Sequence, residues 1–243
     1  MNILGKNPKE DEWVSLSDIM TSLMLIFLFI AVYFIVSTKD IIDFPKVFQK
    51  NEVLLHAELN KVLKNNLTNW GAELDTTGLV RFNNSQFVQF ETGSSKLSPR
   101  FEKVIDEFFK NYLTVVMKPE IEKNIKEIYI EGHTSTYWSR NSSEQESYIA
   151  NMNLSQARAQ STLVYLLNSP RLSVDQKKWL SQKVRAIGYS SSKPLNNMGE
   201  HVGIGEKENP SKSQRVDIRV VTTTEEQIRK LANDHFENEG SSL

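Results

Sequence analysis

The distribution of hydrophobic and polar residues gives the N-terminal part of the chain a character of its own. Residues 19–36 read IMTSLMLIFLFIAVYFIV and contain no charged side chain. As a helix with about 1.5 Å of rise per residue, this run spans about 27 Å, which is close to the hydrocarbon thickness of a bilayer. Apolar residues continue just upstream. The pattern therefore predicts a single transmembrane helix over 13–37, preceded by a short N-terminal segment, 1–12.

A cleavable signal peptide is the competing interpretation of the same run. Such a peptide has a basic N-terminal region and a cleavage site of the small-x-small type. Here three acidic residues stand beside two lysines within 6–12, and the run ends in the bulky residues of 33–36. These features favour a span that stays in the protein. Because lysines lie on both sides of it, the positive-inside rule does not set its orientation.

Two further patterns follow the apolar run. Hydrophobic residues recur near helical spacing within 38–77, which predicts a helical linker whose apolar face would suit a dimer partner, the membrane surface, a channel plug or a plain stalk. From residue 78, short strand patterns alternate with helical ones in the order β, α, β, α, β, β, with an extra helix. This order predicts an α+β domain, a sandwich of a sheet and helices, over 78–224. The polar tail, 225–243, has no assigned role.

Composition excludes several classes of function. The 243 residues include 29 Lys and Arg against 30 Asp and Glu, so the net charge of -1 gives no reason to expect nucleic acid as a partner. The absence of cysteine excludes disulfides and thiolate nucleophiles. None of the four histidines forms an i, i+4 pair of the kind that binds zinc on a helix, and no nucleophile is paired with a base. We therefore expect no catalysis, no metal site and no cofactor.

Asp18, at the start of the apolar run, is the residue that most needs an explanation. It could be the N-cap of a helix at the membrane surface, where a carboxylate is favourable. Alternatively, the helix begins upstream, and Asp18 shares a face with Thr21 and Ser22 at i, i+3 and i+4. A carboxylate inside a membrane is costly and by default indicates a path for ions or protons, which Thr21 and Ser22 would line. Both hypotheses stay open from these residues alone.

Five short motifs in the third part of the chain occur in a characteristic order. They are FETGSSKL at 90–97, IEGHT at 130–134, NLSQARA at 153–159, GYS with KP at 188–194, and QRVDI at 214–218. In this order they resemble the OmpA-like peptidoglycan-binding domain. The resemblance implies a periplasmic domain that binds the diaminopimelate of the cell wall, and hence a bacterial inner-membrane protein with a cytoplasmic N-terminus.

The same resemblance implies which residues hold the wall peptide. Arg158 occupies the position of the family's ligand-binding arginine, and its guanidinium would bind the diaminopimelate carboxylate through two parallel hydrogen bonds. Leu154 would pack against the aliphatic stem of the ligand. Asn151 and Thr134 would add hydrogen bonds.

The sequence departs from the family's pattern within the binding motif. The family usually has an aspartate directly after Gly-His-Thr, where it contacts the ligand ammonium, but this chain has Ser135. The following stretch, 136–152, is longer than usual and carries Glu144 and Glu146. Either one of these acids replaces the missing carboxylate, or the binding of the wall is altered.

A transmembrane aspartate joined to such a domain is the architecture of B-type stator subunits such as flagellar MotB. Around Asp18 the sequence resembles ZorB, the MotB-like family of the Zorya anti-phage defence systems, more than flagellar MotB. The resemblance implies a dimer within five ZorA- or MotA-like membrane subunits, with Asp18 carrying H⁺, or alternatively Na⁺. Three hypotheses follow: a motor subunit for defence, a flagellar stator subunit, and a passive tether to peptidoglycan.

Overall fold

The computed structural model describes the backbone of residues 8–83, 87–91 and 93–223. It describes the side chains of the same residues except those of 8–15 and 37–50. The chain forms two compact units, Met1–Gln49 and Lys50–Leu243. The first helix, α1, has the bounds Pro8–Leu67 and contributes residues to both units. In the first unit it contains Leu16–Val36, the one segment of the described residues that is long and apolar enough to cross a membrane. All side chains of this segment are exposed, as expected of a surface that lipid or partner helices cover.

The second unit is built on a mixed sheet. Its five described strands are β1 (Ala72–Leu74), β2 (Val80–Asn83), β3 (Ile125–His133), β4 (Val184–Gly188) and β5 (Arg215–Thr222). Their order across the sheet is β1-β2-β5-β3-β4. Only β3 and β4 pair in parallel, and the other neighbours in the described sheet are antiparallel.

Helices cover this sheet, which confirms the predicted α+β fold. They are α2 (Pro99–Val116), α3 (Pro119–Glu122), α4 (Glu144–Asn168), α5 (Val174–Lys183) and α6 (Pro210–Ser213). The start of α2 follows from its sequence: the Ser98 hydroxyl accepts a hydrogen bond from Phe101 N at 3.2 Å, and Pro99 supplies the fixed φ that suits a first helical residue.

Aromatic side chains form the centre of the core, between the sheet and α2. The Phe82 ring of β2 lies 5.9 Å from the ring of Phe101 and 4.9 Å from that of Phe108, both in edge-to-face geometry. Trp70, between α1 and β1, packs on Phe108 at 5.8 Å. These rings are almost fully buried, and such pairs add to the free energy gained from area burial alone.

The folded unit begins earlier than the predicted boundary at residue 78. Leu55, Leu59 and Leu63 form one face of α1, at i, i+4 and i+8, and are buried in the core of the second unit. β1 also lies before residue 78 and pairs with β2. This row of three leucines, part of the apolar stripe that predicted a linker helix, is therefore covered by the domain itself. Burial in the core is favourable because it removes the leucine side chains from water. Among the described residues, this face is not free for a dimer partner, a membrane surface or a channel.

Candidate functional site

Two glycines let α4 lie directly on the sheet. A Cβ atom on Gly132 of β3 would stand 2.1 Å from the carbonyl oxygen of Ser155. One on Gly188 of β4 would stand 2.5 Å from the backbone nitrogen of Gln156. The Gln156 side chain spans the same contact, since its Nε2 donates to Ala186 O at 3.1 Å and its Oε1 accepts from Gly188 N at 2.7 Å. This contact fixes the position of α4 over β3 and β4.

All four residues that the resemblance assigned to the wall peptide line one cleft beside α4. The cleft has a volume of ≈ 360 Å³. Asn151, Leu154 and Arg158 come from one face of α4, and Thr134 directly follows β3. The remaining lining residues are Val88, Phe90, Gly93, Ser135, Tyr137, Trp138 and Gln214. The structure thus brings the predicted residues together, while their part in binding stays a prediction.

Arg158 is the one charged residue among those that line the cleft, and it is 7% exposed. Its Nε donates to Ser94 O at 3.0 Å, and its guanidinium carbon lies 5.0 Å from the centre of the Phe90 ring. Burial lowers the pKa of Arg158 to about 10, so the side chain remains charged at neutral pH. No carboxylate of the described residues pairs with it. A buried charge without a counter-charge is unfavourable, so the site favours an anionic ligand.

Further unpaired polar atoms border the same cleft. Thr134 Oγ1 and Asn151 Nδ2 are buried and have no hydrogen-bond partner among the described protein atoms. The Thr134 backbone is held in place, because its N donates to Ser190 O at 3.0 Å. Buried polar groups are normally hydrogen-bonded, so these two atoms and Arg158 form a set of groups suited to a polar ligand with a carboxylate.

The missing aspartate of the family pattern is not replaced by an acid in the longer stretch. Ser135 is buried and its hydroxyl accepts a hydrogen bond from Gln214 Nε2 at 3.2 Å. Glu146 forms a capping box with Ser143 at the start of α4, and Glu144 faces a neighbouring groove. No Asp or Glu is among the residues that line the cleft. The first of the two alternatives, an acid of this stretch inside the cleft, is therefore wrong.

Beyond the cleft, a buried charge network joins β3 to β5. Glu131, His133 and Asp217 lie close enough to hold a metal ion, with His133 Nε2 at 3.4 Å from Glu131 and 3.5 Å from Asp217. Arginines already neutralise both acids: Arg219 Nε donates to Glu131 at 2.6 Å, and Arg215 Nε donates to Asp217 at 3.0 Å. Because these cations compensate the negative charge that a metal would need, we interpret the cluster as a brace of the sheet.

The brace predicts a loss of stability in acid. Although burial opposes it, the Arg219 guanidinium, which donates to Glu131, and the neighbouring His133 imidazole lower the pKa of Glu131 to about 2, from 4.5 in the unfolded chain. A carboxylate with a lowered pKa stabilises the fold above pH 4.5, and this contribution is lost as the pH falls towards 2. We expect the free energy of unfolding to fall by about 2–3 kcal/mol across this window from Glu131 alone. Denaturant titrations at several pH values would measure it, and Glu131→Gln should flatten the dependence. An equally steep curve for that variant would contradict the assignment.

In the first unit, Asp18 lies inside a helix rather than at its start. Because α1 begins at Pro8, ten residues earlier, the N-cap hypothesis is wrong. Asp18, Thr21 and Ser22 are exposed on this helix. Thr21 Oγ1 donates to Ser17 O at 2.7 Å, so its hydroxyl is satisfied within the helix, as is usual for threonine in apolar surroundings. The role of these three residues in ion transfer stays a prediction.

The chain thus consists of an N-terminal apolar helix followed by an α+β domain with a cleft beside α4. Residues 89–207 of this domain match the family model described as the OmpA family, so the domain is OmpA-like. The Zorya protein ZorB of Escherichia coli is 36% identical to this chain over an alignment that covers 96% of this chain and 99% of that protein. The chain belongs to the ZorB family. Since this family is not one of enzymes, the expectation of a non-enzymatic protein is confirmed.

The solved structures to which the chain is similar include MotB-like domains. A MotB-like protein from Desulfovibrio vulgaris has a TM-score of 0.46 at 19% identity, with 71% of this chain and 94% of that chain covered. The periplasmic domain of Helicobacter pylori MotB has a TM-score of 0.41 at 17% identity, covering 65% and 85%. The cell wall anchor of the Pseudomonas aeruginosa T6SS has a TM-score of 0.42 at 16% identity, covering 68% and 96%.

Sequence reasoning missed the parts of the site that depend on contacts between distant residues. It named Arg158 but neither the Phe90 ring beneath it nor the Ser94 carbonyl that orients it. Both belong to a motif that was recognised, so only their contact was missed. The sequence analysis also did not place the start of α4 at Glu144. That start could have been predicted, because Ser143 and Glu146 have the spacing of a capping box.

Proposed function

We propose that this protein is the wall-anchored B-type subunit of an ion-driven motor that acts in Zorya anti-phage defence. The observation that carries the anchoring role is the buried guanidinium of Arg158, which has no carboxylate partner among the described residues and lies in a cleft with unpaired polar atoms. Membership of the ZorB family supports the defence role.

The proposed ligand is the diaminopimelate residue of a peptidoglycan stem peptide. Its side-chain carboxylate would form the ion pair that Arg158 lacks, and a bidentate pair would be both stronger and more directional than one with lysine. The aliphatic stem would lie on Leu154. Thr134 Oγ1 and Asn151 Nδ2 would hydrogen-bond to the polar groups of the ligand. With the wall outside the inner membrane, the domain is periplasmic and the N-terminus cytoplasmic.

In the membrane, Asp18 would carry the ion. A carboxylate on a transmembrane helix is costly and by default indicates an ion path, and Thr21 and Ser22 lie on the same face as Asp18. We propose H⁺ as the ion, with Na⁺ as the alternative. The membrane partners would be ZorA- or MotA-like subunits, five for two copies of this chain, and the wall anchor would keep the complex stationary while the ion passes.

The anchoring role predicts that Arg158→Ala lowers the affinity for purified peptidoglycan sacculi by about 100-fold or more, because truncation removes one side of a buried charge pair. Arg158→Lys should recover only part of it, since an ammonium cannot form two parallel bonds. Co-sedimentation of the full chain with sacculi measures the effect. The matched control is Arg171→Ala, which removes an arginine that is exposed outside the cleft.

Thermal unfolding separates a binding defect from a folding defect. Arg158→Ala removes a buried charge that has no counter-ion but also its contacts with Ser94 and Phe90, so the two effects oppose each other and the midpoint temperature should stay close to that of the wild type. Unchanged retention by sacculi in Arg158→Ala would overturn the proposed site.

A further inference from the structure

A second groove adjoins the cleft, and the proposed peptide contact does not use it. This hydroxyl groove has a volume of ≈ 960 Å³ and shares Tyr137 and Trp138 with the cleft. The other residues that line it are Thr136, Ser139, Ser142, Ser143, Glu144, Gln145, Ser147, Tyr148, Ser191 and Ser192. It is formed mainly by the longer stretch 136–152 and by the loop after β4.

The segment that forms the groove is held in a defined shape. At its start, the backbone N and the hydroxyl of Thr136 both donate to the Glu208 carboxylate. In its middle, the Ser142 hydroxyl donates to Ser139 O at 3.0 Å and lies 2.8 Å from the Ser147 hydroxyl. At its end, a capping box fixes the first turn of α4. A groove built in advance loses little conformational entropy when a ligand binds.

Its chemistry combines exposed rings with many hydroxyl groups. Tyr137, Trp138 and Tyr148 are 67%, 41% and 43% exposed, which leaves their faces free for a ligand. The groove offers no Lys or Arg among its lining residues and one carboxylate, that of Glu144. Without a cation, it is unsuited to phosphate or nucleic acid, which need positive charge. Its many hydroxyl groups make it unsuited to a purely apolar ligand, because each would need a hydrogen-bond partner.

Aromatic faces beside hydroxyl and amide groups fit a neutral sugar chain. The rings pack on the apolar C–H faces of pyranose rings, and serine hydroxyls and Gln145 pair with sugar hydroxyl and N-acetyl groups. We propose that the hydroxyl groove binds the N-acetylated glycan strand of peptidoglycan, next to the stem peptide held in the cleft. This inference rests on the proposed anchoring function and adds the polysaccharide as a second ligand class.

Continuity between the two grooves supports this occupant. A stem peptide is covalently attached to a sugar of the strand, and its diaminopimelate is the third residue from that attachment. Three extended residues span about 10 Å, so a peptide bound in the cleft keeps its sugar close to the protein surface. The groove that shares Tyr137 and Trp138 with the cleft therefore lies within reach of that sugar. Tyr137 and Trp138 follow Ser135, the residue at the position of the family's ammonium-binding aspartate, by two and three residues.

The test separates the two ligands with two soluble probes and the full chain in detergent. One probe is soluble, peptide-free strands of β-1,4-linked N-acetylglucosamine, which carry no charge, and the other is the tripeptide Ala-γ-Glu-diaminopimelate. We expect Tyr148→Ala to weaken binding of the peptide-free strands by about tenfold, and Tyr148→Phe, which keeps the ring, to stay within about twofold. Both variants should bind the tripeptide like the wild type. Arg158→Ala should show the opposite pattern, with tripeptide binding lost and strand binding kept.

The outcomes distinguish this inference from the anchoring function. If the wild type binds sacculi and tripeptide but not the peptide-free strands, the glycan groove is overturned and the anchoring function stands. If Tyr148→Ala binds the strands like the wild type, the groove is likewise overturned. If wild-type protein binds neither sacculi nor either probe, the anchoring function fails together with the inference.

Discussion

Cells that carry Asp18→Asn in place of the wild-type protein, with its native gene neighbours, are expected to lose phage protection completely. Asparagine has the shape of aspartate and keeps the helix, but its amide cannot take up and release a proton or neutralise a cation. Because we propose that every turnover of the motor passes through this carboxylate, no residual activity is expected. The efficiency of phage plating should therefore return to that of cells without the system, while wild-type cells stay protected.

Two controls make this result specific. Protein level and membrane insertion of the variant must equal those of the wild type, since an uncharged residue in an apolar helix inserts at least as readily. Met20→Leu is a matched change two residues away, on another face of the same helix, and it replaces one exposed apolar side chain by another of similar volume. We expect it to retain most of the protection.

The other outcomes favour the alternative functions. Protection that persists in Asp18→Asn would contradict ion transfer through this residue and favour a passive tether to the wall. A wild type that protects against none of a broad panel of phages would contradict the defence role. A swimming assay would then test the flagellar alternative.

Contacts between residues close in sequence could be predicted for this site, whereas contacts between residues far apart in sequence could not. Asn151, Leu154 and Arg158 share one face of a helix, so their proximity follows from spacing alone once α4 is recognised. Their approach to Thr134 needs the pairing of β3 with β4 and the crossing of α4 over both. That arrangement came from the resemblance to a known domain, because residue periodicity carries no information on which helix covers which strands.

The region predicted as a linker shows what sequence periodicity could not predict about the fold. The leucines at 55, 59 and 63 correctly indicated a helix with one apolar face, but such a stripe does not say what covers it. Cover by the chain's own core was not among the alternatives considered. The structure shows the contact that a stripe cannot reveal: Gly78 has a φ of +84°, and a Cβ atom there would stand 3.2 Å from Leu55 Cδ2, so the turn after β1 leaves room for the helix.

The second large effect is expected from Gly132→Ala, which should abolish folding of the domain or lower its free energy of unfolding by about 3 kcal/mol or more. A Cβ at this position would stand 2.1 Å from the Ser155 carbonyl oxygen, and a backbone atom in the middle of a helix cannot move aside as a flexible side chain can. The direction of the change in the free energy of unfolding is informative. Alanine restricts the unfolded chain more than glycine does, so without the clash this substitution would stabilise the protein.

Gly203→Ala is the matched control for this substitution. Its Cβ would meet only the Glu206 side chain, at an ordinary contact distance of 3.6 Å, so we expect a change within about 0.5 kcal/mol. Thermal and denaturant unfolding of the full chain would measure both variants, and retention by sacculi would report on the cleft. Gly132→Ala should lose retention as well, since any shift of α4 away from β3 moves Arg158 out of register with Thr134. A variant that unfolds at the wild-type temperature and still binds sacculi would show that α4 does not need its close approach to the sheet.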